Sequence, residues 1–222
     1  AGPATPITAG SRHIHVPNTS PDGTLVAFQS FGPQEDIFVI RSDGTNELQL
    51  TNDSFRDRMP KWSPDGRSIA FYSNRGGAFD IWMIDAGGSN LRQITNDSAA
   101  DVRAIWSPDG KRIAGYRFNE EGFILNLSSS PPQQTPLAPF DDADAVFDVS
   151  DWSPDGNWLA GEKFSKSSGM IQGLFIYSIQ TGKYQLLTES GYTPIWLKDS
   201  RRLLFENDGK MYLVDRLERK PR

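Results

Sequence analysis

One short turn recurs along this chain and constrains its fold more than any other feature. Trp62-Ser63-Pro64-Asp65-Gly66 returns as Trp106 to Gly110 and as Trp152 to Gly156. Thr19-Ser20-Pro21-Asp22-Gly23 is the same turn without its Trp, and Trp196-Leu197-Lys198-Asp199-Ser200 keeps only the Trp and the Asp. With Pro21, Pro64, Pro108, Pro154 and Lys198 taken as equivalent, the steps are 43, 44, 46 and 44 residues. Proline presets φ for the second position of a type I turn, and glycine suits its fourth. The chemistry of the turn is therefore repeated along with its letters.

The segments after the turns repeat as well. Residues 24–30, 67–73, 111–117, 157–163 and 201–207 are short apolar runs bounded by turn residues, which predicts half-buried strands. Second runs come at 36–40, 80–84, 123–125, 174–177 and 211–214, and third runs at 48–51, 91–95 and 185–188. A fourth strand carries the residues just before the next Trp. Four strands per period of about 44 residues describe a propeller blade, whereas a helical solenoid would show 3.6-residue periodicity. The expected fold is all-β: a β-propeller of five four-stranded blades, with repeats at 11–53, 54–97, 98–142, 143–190 and 191–222 plus 4–8. The Trp residues are expected to fill space between blades.

Thr8 lies 13 residues before Pro21, as Thr51 and Thr95 lie before Pro64 and Pro108. Residues 4–8 therefore read as an outermost strand that pairs into the last blade and closes the ring, removing an open edge. The alternative is a segment of a six-bladed propeller.

Pro60 to Phe71, of the form Pro-x-Trp-Ser-Pro-Asp-Gly-x-x-Ile-Ala-Phe, resembles the WD40-like PD40 repeat of the TolB propeller family. Asn74-Arg75-Gly76-Gly77 and Asp80 to Asp85 continue the resemblance. It implies a bacterial, non-catalytic binding scaffold or sensor domain for a protein or peptide, in a periplasmic or extracytoplasmic setting, with a cytoplasmic one also open. The chain departs from TolB in lacking a separate N-terminal α/β domain and in having five repeats where TolB has six.

Net charge is −5, with Lys and Arg scattered through the turns, so no basic field points to nucleic acid. The chain has no Cys, which excludes disulfides and thiolate ligands. No apolar run reaches membrane-spanning length, and residues 1–6 lack the basic and apolar regions of a signal peptide, as in a mature or excised segment. A monomer, or part of a larger chain, is expected.

Propeller ligands bind where the innermost strands begin. Those stretches offer His13, His15, Asp57, Arg58, Asp101, Arg103, Asp148, Asp151 and Tyr192 as candidate binding residues. His13 and His15 share a strand face and with Asp57, Asp101 and Asp148 could form a His/carboxylate metal set. The bland reading, a salt-bridged rim without metal or cofactor, is preferred because no single segment carries fixed ligand spacing. The alternative function is a carbohydrate-binding or glycoside-hydrolysing propeller using Asp57, Asp101 and Asp148. Pairing with Arg58 and Arg103 would lower carboxyl pKa values, which suits ion pairs better than a general acid. Asp141-Asp142-Ala143-Asp144 lacks the Gly and distal Glu of a calcium loop.

Overall fold

A computed structural model describes residues 4–8, 12–96, 98–117 and 120–218. The fold is an all-β, five-bladed β-propeller with no helix among the described residues. Each sheet is antiparallel and starts from its innermost strand. The first holds β1 (His13–Thr19), β2 (Leu25–Phe31), β3 (Ile37–Arg41) and β4 (Leu48–Gln49). The second holds β5 (Asp57–Trp62), β6 (Ser68–Ser73), β7 (Asp80–Asp85) and β8 (Arg92–Gln93). The third holds β9 (Asp101–Trp106), β10 (Arg112–Arg117), β11 (Phe123–Asn126) and β12 (Gln133–Pro136). The fourth holds β13 (Ala145–Trp152), β14 (Trp158–Ser165), β15 (Ile171–Ser178) and β16 (Tyr184–Thr188). The fifth has three strands, β17 (Tyr192–Trp196), β18 (Arg202–Asn207) and β19 (Lys210–Asp215).

The repeated turn is built as its chemistry dictates. Gly66 N–H donates to the Ser63 carbonyl at 2.9 Å, the Ser63 hydroxyl donates to Asp65 Oδ1 at 2.6 Å, and Ser68 N–H donates back to Ser63 Oγ at 3.0 Å. The same hydroxyl–carboxylate bond recurs at Ser20–Asp22, Ser107–Asp109 and Ser153–Asp155. Gly66 has φ +70°, a left-handed conformation that glycine adopts without a Cβ penalty. In the degenerate turn Ser200 occupies that conformation at φ +55°.

Contacts divide the chain into two units, Ala1–Ala104 and Ile105–Arg222. In the first, Trp62 is buried with Ala27, Ile37, Val39, Ile69, Phe71 and Ile84 between the first two sheets. In the second, Trp152 packs with Ala114, Phe147 and Leu159, and Trp196 with Ala160, Ile176 and Leu203. Trp62, Trp152 and Trp196 thus fill the space between neighbouring sheets, as expected.

Side chains also tie the outer strands down. Thr51 Oγ1 accepts from Ile37 N–H at 3.0 Å, and Gln49 Nε2 donates to Asp36 Oδ2 at 3.1 Å. The second sheet repeats both bonds, Ile81 N–H to Thr95 Oγ1 at 2.9 Å and Gln93 Nε2 to Asp80 Oδ2 at 2.9 Å.

Residues 4–8 depart from the expected ring closure: they form no strand, and the fifth sheet has no fourth member among the described residues. Ile7 nevertheless sits against Gly44, as Leu50 sits against Gly88 in the next repeat. The third sheet pairs β12 with Pro136 at the place of Gln49, so a tether there is not required for pairing. Pro6 stands where the tethered strands have Gln49 and Gln93, and Lys210 stands where their partners have Asp36 and Asp80.

Candidate functional site

The innermost strands share a device that the sequence did not announce. Val16, Met59, Arg103 and Thr193, each five residues before its turn Pro or Lys198, have φ of +51°, +54°, +64° and +46°. Such values strain non-glycine residues, most of all the β-branched Val16 and Thr193. They coincide with bulges in β1, β5 and β17, and β13 is bulged between Val149 and Asp151 with no positive φ there. A bulge frees backbone groups, and neighbouring sheets supply partners. Gln29 Oε1 accepts from Met59 N–H at 2.7 Å, and Glu162 Oε1 accepts from Thr193 N–H at 2.6 Å. Gln29 and Glu162 occupy the same place, eight residues past their turn prolines.

In the first unit the candidate residues separate into two groups. His13 and His15 are exposed on β1, and the His15 ring stacks on Phe31 with centroids 4.5 Å apart. Phe31 is itself 53% exposed. Asp57 is completely buried, and its Oδ2 accepts from Arg75 Nη2 at 2.5 Å. Arg75 also reaches Asp53 Oδ2 at 3.2 Å and Ser73 Oγ at 3.0 Å, and its guanidinium lies 5.2 Å from the Trp82 ring. Arg58 pairs through both arms with Glu35, Nη2 to Oε1 at 2.9 Å and Nε to Oε2. The Arg58 hydrogen bond holds the Glu35 carboxyl below its ordinary range, while Glu35 raises Arg58. Asp101 is completely buried, and Arg103 is half-buried.

Asp36, Asp53 and Asp57 each offer a carboxylate oxygen within 4.8 Å of the others, the one grouping among the described residues that could hold a metal ion. Burial raises the Asp36 carboxyl pKa, and the neighbouring Asp57 and Asp53 charges add to the shift. Arg75 supplies an internal cation to two of the three. The grouping joins Asp57 to Asp36 and Asp53, and neither histidine belongs to it. Sequence reasoning passed over Asp36, Asp53, Glu35 and Arg75. Their signal was present as a second repeat, Thr51-Asn52-Asp53-Ser54-Phe55-Arg56-Asp57 against Thr95-Asn96-Asp97-Ser98-Ala99-Ala100-Asp101.

In the second unit Asp148 is buried, and Asp151 acts as a strut. Its Oδ1 accepts from Trp152 N–H at 2.9 Å and its Oδ2 from Trp196 N–H at 2.7 Å. Asn18, at the same place in the first repeat, accepts from Trp62 N–H at 2.8 Å. Glu162 takes the Ser150 hydroxyl at 2.7 Å besides Thr193 N–H. Tyr192 and Ile195 are 51% and 56% exposed. Asp144 accepts from the Ser165 and Ser167 hydroxyls at 2.6 and 2.8 Å, so that acidic loop is a local staple.

Asp57, Asp101 and Asp148 are exposed by 0%, 0% and 6%, so none presents a carboxylate to a bulky substrate. The groups open to solvent are His13, Ile14, His15 and Phe31 in one unit, and Tyr192, Thr193 and Ile195 in the other.

The family model of the TolB beta propeller domain, PD40, matches residues 3–138. The chain belongs to this family. Among curated proteins it is 36% identical over 61 residues to a TolB homolog of Chlorobium luteolum, which covers 28% of this chain and 14% of that protein. It is 34% identical over 70 residues to an uncharacterized peptidase of Bacillus subtilis, covering 31% of this chain and 11% of the peptidase. The chain therefore matches only a small part of each relative's length. Among solved structures, TolB from Acinetobacter baumannii superposes with a TM-score of 0.76 at 20% identity, over 95% of this chain and 53% of that one. An oligogalacturonate lyase in complex with manganese superposes with a TM-score of 0.70 at 14% identity, over 94% and 67%. These structures share the fold.

Proposed function

We propose that this PD40 propeller is a non-catalytic module that binds a protein or peptide, as TolB-like propellers do, in an extracytoplasmic setting. Each unit offers its own contact surface at the beginnings of its innermost strands. His13, His15 and Phe31 form one, and Tyr192, Thr193 and Ile195 form the other. Arg58, Arg103 and Asp151 lie half-buried among these strands, while Asp57, Asp101 and Asp148 act beneath the surface.

The observation that carries this reading is the use of the acids. Those of the inner strands are either buried or engaged in struts, and solvent meets aromatic and aliphatic side chains instead. Exposed aromatic anchors suit a polypeptide ligand, where a few such side chains supply most of the affinity. A glycoside hydrolase needs two carboxylates reaching its substrate, and the buried aspartates do not support that alternative.

Peptides selected from a random display library on the immobilised chain test the proposal. Tyr192→Ala with Ile195→Ala, or His13→Ala with Phe31→Ala, should weaken the selected peptides about tenfold while leaving Tm unchanged. Undiminished binding in both double variants, or cleavage of oligogalacturonides abolished by Asp57→Asn, would overturn it.

A further inference from the structure

Three aspartates meet where the first sheet passes into the second. Asp36 precedes β3, Asp53 lies in the loop after β4, and Asp57 opens β5. One carboxylate oxygen of each lies within 4.8 Å of the other two. Arg75 reaches two of these acids, Asp57 through Nη2 and Asp53 through Nη1. Three carboxylates set against that one guanidinium leave two negative charges over.

A second observation comes from Asp57. The residue is completely buried, its Oδ2 is taken by Arg75, and its Oδ1 has no hydrogen-bond partner. Its two neighbours differ. Gln49 Nε2 donates to Asp36 Oδ2 at 3.1 Å, and the Thr51 hydroxyl donates to Asp36 Oδ1 at 3.4 Å. Asp53 Oδ1 accepts from Phe55 N–H at 2.9 Å. A buried carboxylate oxygen is costly to leave unmet, and such an atom in a folded protein marks the place of a water or an ion. Water would satisfy the oxygen and leave the charge, whereas a divalent cation satisfies both.

Size separates the candidate ions. Calcium holds its oxygens at about 2.3–2.6 Å, so oxygens on opposite sides of it stand about 4.6–5.2 Å apart. The three carboxylates already meet that span, whereas magnesium, at about 2.0–2.1 Å, would have to draw them within about 4.2 Å. Asp53 is 31% exposed, and Asp36 lines a groove of about 370 Å³ with Ser30 and Phe38, which gives an ion its way in.

We propose that Asp36, Asp53 and Asp57 hold a calcium ion that fastens the first sheet to the second, with Arg75 fixing the other oxygen of Asp57 and water completing the shell. The site goes beyond the contact surfaces proposed above and does not depend on them.

The test uses the full chain, stripped of metal with EDTA, dialysed, and titrated with CaCl2 in calorimetry and thermal melting. One ion should bind per chain, and Tm should rise by about 5–10 °C at a hundredfold excess over the dissociation constant. MgCl2 should give a much smaller shift. Asp36→Asn removes one ligand without touching Arg75, and should abolish the calcium shift without lowering the calcium-free Tm. Should that variant fail to fold, Tb3+ luminescence excited through tryptophan on the unaltered chain takes its place, and Ca2+ should displace it where equal Mg2+ does not. Absence of saturable calcium binding, a shift retained in Asp36→Asn, or equal effects of the two ions would overturn the proposal. The first of these results would leave the Asp57 oxygen to water.

Discussion

The second and fifth sheets start from the same repeat and end differently. In the second, the Ser63–Asp65 turn is intact, Trp62 is buried, and β8 is fastened by Gln93 to Asp80 and by Thr95 to the Ile81 N–H. In the fifth, Trp196 is equally buried, yet Leu197 replaces the turn serine, Ser200 replaces the glycine, and β19 is the last strand of the sheet among the described residues. The three inner strands therefore need only the turn and the apolar alternation. In the second sheet side chains also fasten the outer strand, whereas β12 and β16 pair with Pro136 and Leu186 at the place of Gln93.

The largest expected effect tests the second sheet's buried charges. Arg75→Ala leaves Asp57 and Asp53 uncompensated and should destabilise by about 3–5 kcal/mol in chemical denaturation. A loss below about 1 kcal/mol would mean that the pair is dispensable. Next, Thr95→Val keeps the shape but leaves the Ile81 N–H unmet, with an expected loss of about 1–2 kcal/mol. The same experiment has no counterpart in the fifth sheet, where no threonine among the described residues caps Met211. At the turn, Gly66→Ala should cost about 1 kcal/mol because of its left-handed backbone. Ser200→Gly should change stability by less than about 0.5 kcal/mol, because relief of strain offsets loss of the 2.9 Å bond from Asp155 N–H to Ser200 Oγ.

The smallest effect is electrostatic. Hydrogen bonds from Ser63 and from Arg67 N–H hold Asp65 below the usual carboxylate range, and the Arg202 and Arg201 N–H groups hold Asp199 at about 2. A carboxylate whose pKa is depressed on folding stabilises above its unfolded pKa, and that contribution is lost as pH falls through the folded one. Stability should therefore drop as pH falls from about 4 toward about 2, and Asp65→Asn should shallow that slope in acid titrations followed by fluorescence.

The blades were legible in the sequence because turn chemistry and alternation are local, and both repeat at Pro21, Pro64, Pro108 and Pro154. The struts were less legible. Asn18, Gln29, Asp151 and Glu162 act on backbone groups of the next sheet, at separations of 30 to 45 residues. Only after the bulges are known do their equivalent positions acquire meaning. Asp57 and Asp101 were recognised by position, but both are completely buried, and no spacing encodes that. The place of residues 4–8 was legible in the Ile7-Thr8 pattern, since Ile7 sits against Gly44 as Leu50 sits against Gly88, but that pattern does not encode whether the segment pairs as a strand.

Amide hydrogen exchange at two equivalent sites tests this account most directly. The Ile81 N–H, capped by Thr95, should exchange slowly, at a rate set by opening of the second sheet, while the Met211 N–H should exchange near the rate of an unprotected amide. Equal protection at Met211 would contradict the account, because it would mean that a fourth strand already closes the fifth sheet.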